Sequence, residues 1–155
     1  MKTFWIVVAD AGRAVVLRKV VGHHEAATIV HDLENPAGRM HTSELVSDGR
    51  GRVETGGGTM QSAMDPRTDP HEQKAVVFSR EVGKMLDVGA DRHEFDSLIL
   101  VAPAHFLGLL KSHLGRVAGK KVVMSRAKDL THAALPDLEG HIDEWIRQPG
   151  IALDA

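Results

Sequence analysis

The chain of 155 residues has no cysteine, which excludes a disulfide framework, a thiolate zinc site and a cysteine nucleophile, and fits a reducing cytoplasm. An excess of positive charge is also missing. A formal net charge of -2 excludes the strongly basic profile of a protein that grips duplex DNA by charge alone, so any nucleic-acid contact has to be local. Long hydrophobic runs are absent as well. The opening stretch MKTFWIVVADAGR has one lysine and then only the apolar run Phe4 to Ala9 before Asp10. That is shorter than a secretory apolar segment and far short of a membrane span, so the expectation is a core strand and no membrane partner. With 43% hydrophobic residues the chain can bury about two-thirds of its unfolded surface, and residues 1–155 are expected to form one domain.

Phe4 to Ala9 is rich in β-branched and aromatic residues, as a central strand covered on both faces should be. Asp10-Ala11-Gly12 is a turn, Ala14 to Leu17 a second strand, Val21 to Glu25 another turn, and Thr28 to Leu33 alternates as a third strand. Strands joined so tightly are expected to be antiparallel. From Asn35 to Asp69 nothing sustains a helix or strand period, which predicts a long flexible loop over about 36–69. Asp69 can then cap a helix, with Pro70 at its first position and Glu72 three residues after the cap. Ala75, Phe78, Val82, Met85 and Leu86 form the apolar stripe of that helix, which should end near Gly89 as its C-cap.

Ser97 to Ala102 reads as a buried strand, and Pro103 opens a helix through Phe106, Leu107, Leu110 and Leu114 that stops near Gly115. Val122 to Ser125 is a fifth strand. Pro136 starts a last helix with the stripe Leu138, Ile142, Trp145 and Ile146. The order β-β-β-α-β-α-β-α, with right-handed crossovers, predicts an α/β domain: a mixed five-stranded sheet with flanking helices on the ribonuclease H-like plan.

Fold does not give function, and the chemistry has to be found in residues. A two-metal nuclease on this plan needs carboxylates converging at one end of the sheet. Asp10 is one candidate, with Glu72, Glu81 or Asp87 as a second, but the fourth strand ends in Ala102-Pro103 without an acid. Asp10 is more simply a hairpin residue accepting local backbone N–H bonds. The ten histidines include no HExxH; His23 and His24 are adjacent in a turn, and His105 and His113 are eight apart on one helix. No GxSxG elbow links Ser43, Ser62 or Ser97 to a base, and Gly49-Arg50-Gly51 does not join a strand to a helix as a dinucleotide fingerprint would. No catalytic, metal-ligating or cofactor-binding residue is nominated.

The stretches WIVVADAGRAVVL, GGGTMQSAMDPRTDPHEQ, LILVAPAHFLGLL and VVMSRAKDLTH, in order over nearly the whole chain, resemble the host attachment protein family, bacterial proteins named for a role in attachment to plant host cells. The resemblance implies kinship with the middle domain of the eukaryotic peptide-chain release factor and of Pelota. In the release factor the loop before the long helix carries Gly-Gly-Gln, which enters the peptidyl-transferase centre. Here it reads Gly56-Gly57-Gly58-Thr59-Met60-Gln61, with Gln61 set apart from the glycines, whereas Pelota-like relatives lack the motif and act in ribosome rescue. The resemblance thus keeps a non-hydrolytic ribosomal role open. Physically, Gly56 to Gly58 permit positive φ and close backbone approach to another surface, at an ordering cost of about 1 kcal/mol or more per residue. The loop is either a probe ordered by a partner or a slack insertion.

From Lys111 to Lys128 the chain has six cations and no acid, whereas Asp129 to Glu144 holds five acids. Arg116, Lys120 and Lys121, sharing a surface with Arg50, Arg52 and Arg67, would meet RNA phosphate; the alternative is an ordinary solvated rim. The expectation is a cytoplasmic, non-enzymatic module that needs no cofactor and binds the ribosome or structured RNA through its glycine-rich loop and these cations. A metal-dependent nuclease and a protein-protein adaptor in surface attachment are the other readings.

Overall fold

The structure, a computed structural model, describes residues 2–22, 25–35 and 69–148. Three strands come first: β1 (Thr3–Ala9), β2 (Arg13–Val20) and β3 (Thr28–Glu34). The long helix α1 (Pro70–Asp91) precedes β4 (Ser97–Ala102) and α2 (Ala104–Ser112). A short helix α3 (Arg116–Lys120), β5 (Val122–Ala127) and α4 (Leu135–Ile146) complete the order. The strands form one mixed sheet in the order β3-β2-β1-β4-β5. β1 pairs antiparallel with β2, and β2 with β3, while β1–β4 and β4–β5 are parallel. This is the α/β architecture that the alternation of elements predicts.

Alternation within β1 sends its side chains to two separate cores. Trp5, Val7 and Ala9 meet Phe78, Val82 and Leu86 of α1 and Phe106 and Leu110 of α2 on one face. Phe4, Ile6 and Val8 meet Leu138, Ile142, Trp145 and Ile146 of α4 on the other. Both faces of β1 and β4 are therefore dry, and each fully buried large apolar side chain contributes about 1.5–3 kcal/mol. Among the described residues no strand pairs with the outer side of β3, and Ile29 and Val30 on it are exposed.

Three expectations need correction. Gly89 does not end α1. The helix continues to Asp91, and an added Cβ at Gly89 would lie 2.7 Å from the Trp5 ring, so the glycine serves close packing of α1 on β1. His93 takes the left-handed turn instead, at φ 58°, with Glu94 N–H donating to Gly89 O and His93 N–H to Ala90 O. The second helix stops at Ser112 rather than running through Leu114, because the chain turns and begins α3 after Gly115. Glu72 does not complete a reciprocal cap: Asp69 Oδ1 accepts from His71 N–H at 2.9 Å, while the Glu72 carboxylate pairs with His105 Nε2 at 2.7 Å.

Candidate functional site: two ends of one sheet

The carboxyl ends of β1, β4 and β5 gather the first cluster. Asp10, just past β1, accepts the N–H groups of Gly12 and Arg13 through Oδ1, each at 2.8 Å. This is the hairpin role expected of it. Its other oxygen accepts from the Thr131 hydroxyl at 2.9 Å, and the same hydroxyl oxygen lies 2.9 Å from Asp129 Oδ1. Thr131 is 5% exposed. The DAGR turn and the DLTH segment, distant in sequence, are thus one structural unit. Beside them Arg13 forms a forked pair with Asp32, at 3.3 and 3.2 Å, and that hydrogen bond raises the arginine pKa above its ordinary value.

The same end of the sheet holds both flanks of residues 36–68. Asn35 N–H donates to Gly12 O at 2.9 Å, and its side-chain amide reaches Ala11 O at 3.1 Å and Lys74 O, in the second turn of α1, at 3.4 Å. Asp69 caps that helix. Asn35 thus ties the turn after β1, which Asp10 supports, to the first turns of α1.

The amino ends of the strands carry the second cluster. Asp87 of α1 accepts Gly115 N–H at 2.8 Å, which fixes the start of α3, and Leu98 N–H donates to Lys121 O at 2.8 Å, which ties its end to β4. Thr3 N–H donates to Asp96 Oδ2 and Asp96 N–H to Thr3 O, both at 2.8 Å, bringing the beginning of β1 alongside. The result is an open depression lined by Lys2, Asp96, Ser97, Arg116, Val117, Lys120, Lys121 and Val123. Four cations face one acid there. Such a surface attracts polyanions, and the attraction weakens as salt screens it.

Of the nominated partner residues, Arg116, Lys120 and Lys121 are therefore brought together, at the end of the sheet opposite Asn35 and Asp69. Arg50, Arg52, Gly56, Gly57, Gly58, Gln61 and Arg67 lie outside the described residues. Lys2, Ser97, Val117 and Val123 were not nominated from sequence; Lys2 and Ser97 join the cations only through the pairing of Phe4 with Ser97 across β1 and β4. Three of the acids considered for metal chemistry have other partners: Asp10 in the hairpin and Thr131, Glu72 in His105, and Asp87 in Gly115. Among the described residues no group of three His, Asp or Glu side chains is placed to hold a metal ion. Among the same residues no helix is long and apolar enough to cross a membrane.

A family model described as "protein required for attachment to host cells" matches residues 5–142. The chain belongs to that family. Both halves of the Asp10–Thr131 unit and the three nominated cations of the depression fall inside the family match. No curated protein matches the chain. Among solved structures, an archaeal translation termination factor superposes with a TM-score of 0.43 at 10% identity, over 92% of this chain and 39% of that protein. A second structure, described only as an archaeal protein, gives a TM-score of 0.45 at 10% identity with the same coverage. The chain spans about two-fifths of the length of each.

Proposed function

We propose that this member of the host attachment family is a non-enzymatic module that associates with RNA, on the ribosome, through the cationic depression at the amino ends of β1, β4 and β5. The observation that carries the reading is the convergence of Lys2, Arg116, Lys120 and Lys121 on one depression in a protein of net charge -2. Local cations on an otherwise acidic chain select a polyanion at one place and repel it elsewhere. The glycine triplet Gly56 to Gly58, with Arg50, Arg52, Gln61 and Arg67, enters as a second contact on the ground of sequence alone. A cytoplasmic location follows from the proposed partner, and an effect on attachment to host cells would be downstream of translation.

Each phosphate contact to a single strand contributes a slope of roughly -0.7 to log affinity against log salt. Co-sedimentation of the full chain with ribosomes at graded salt tests the reading. The expected result is salt-sensitive association that the Arg116→Ala/Lys120→Ala/Lys121→Ala variant loses and that deletion of residues 53–61 weakens. Association unchanged in the triple variant, or none at low salt, overturns it.

A further inference from the structure

The depression has features that a generic basic patch lacks. Three polar residues are buried in the described fold: Ser79, Ser97 and Thr131. Ser79 donates its hydroxyl to Val76 O and Thr131 to Asp10. Ser97, 2% exposed, is the remaining one, and it forms part of the wall of the depression. A hydroxyl in that wall can donate to an oxygen bound beside it. The same wall carries Val117 and Val123, 47% and 36% exposed. Cations at the margin, a hydroxyl in the wall and two exposed valines describe a ligand with an anionic centre and an adjoining apolar part.

We infer that the depression is a seat for one phosphodiester of an unpaired RNA strand: Ser97 donates to a phosphate oxygen, Arg116, Lys120 and Lys121 surround its charge, and the neighbouring ribose rests on Val117 and Val123. This rests on the RNA reading above and deepens it. An unpaired strand fits better than a duplex because the seat is concave and its cations converge on one place. A rigid A-form helix offers rows of phosphates and a shallow groove, whereas an unpaired strand can turn a sugar or base inward. Among the described residues the lining holds no aromatic ring, so the contact proposed is to the strand's phosphate and sugar and not to stacked bases. Asp96 refines the choice further. Its carboxylate, held by Thr3 N–H, repels a doubly charged terminal phosphate more than a singly charged diester.

Fluorescence anisotropy of the full chain tests the seat. The probes are a short unpaired oligoribonucleotide with and without a 5′-phosphate, its blunt duplex, and an acidic phosphopeptide, all at one salt concentration. The expected result is tighter binding of the unpaired strand than of the duplex or the peptide, with no gain from the terminal phosphate. Ser97→Ala should weaken that binding about tenfold, the scale of a hydrogen bond to a charged group, without changing the melting temperature or the salt slope. Val117→Asp, on an exposed position, should weaken it by at least as much. Equal binding of duplex or peptide, or a folded Ser97→Ala protein that binds as the wild type does, overturns the seat. Where the triple cation variant still loses RNA in that case, the RNA reading stands and the seat alone falls; where no RNA binds at any salt, both fall.

Discussion

The Thr131 hydroxyl reaches Asp10 Oδ2 at 2.9 Å across 121 positions of sequence, and the same oxygen lies 2.9 Å from Asp129. One hydroxyl between two carboxylates holds the segment after β5 against the turn after β1. Asp10 in turn supports the Gly12–Arg13 backbone, and Gly12 O receives Asn35 N–H. A chain of hydrogen bonds therefore runs from the DLTH segment to the residue at which 36–68 begins.

Removing that hydroxyl without changing the side-chain shape should destabilise the fold. Thr131→Val leaves the half-buried Asp10 Oδ2 without its donor, at an expected cost of about 1 kcal/mol. Thr131→Ser keeps the donor and should cost less than half of that. Urea unfolding of the two variants checks the pair, and equal stability of Val and Ser at this position would refute the assigned role.

Local patterns made the strands and the long helix legible, because unbroken apolar runs such as Phe4 to Ala9 and Ser97 to Ala102 have one stable use in a two-sided sheet. The start of α1 was legible from Asp69 and Pro70. Its end was not, since a glycine reads as a stop signal and only the Trp5 ring packed against Gly89 reveals the other use. α3 was hidden because five residues show no period, and its existence depends on Asp87, in another helix, receiving Gly115 N–H. The cationic trio was visible as a charge run. Its completion by Lys2 and Ser97 comes from parallel pairing of β1 with β4, which spacing along the chain does not encode.

Two glycines in helices should respond oppositely to alanine. Gly89→Ala would drive a Cβ to 2.7 Å from Trp5, and overpacking of this kind costs about 1–3 kcal/mol, enough to outweigh the roughly 1 kcal/mol gained in helix propensity. At Gly108, in α2, an added Cβ meets nothing within 4 Å, so Gly108→Ala should stabilise by about 0.5–1 kcal/mol. Thermal melts of the two variants should move in opposite directions.

Asp69 satisfies His71 N–H at the start of α1. Asp69→Ala should cost about 0.5–2 kcal/mol, and Asp69→Ser, which retains a cap, much less. Amide hydrogen exchange should localise the loss to the first turn of α1. Loss of protection at the far end of the helix instead would mean that the cap supports something beyond its own turn.

Asp87 connects the packing of α1 to the proposed RNA seat. Its Oδ1 holds Gly115 N–H at 2.8 Å, and Gly115 immediately precedes Arg116. Asp87→Ala frees the start of α3, which should cost about 1–2 kcal/mol of stability and widen the range of positions open to Arg116. Asp87→Asn retains a carbonyl oxygen in the same place and should preserve both. Urea unfolding and RNA anisotropy on the same two variants separate the effects: a protein that loses stability at Asp87→Ala yet keeps wild-type RNA affinity would show that the cations act without a fixed geometry, as a diffuse patch rather than a seat.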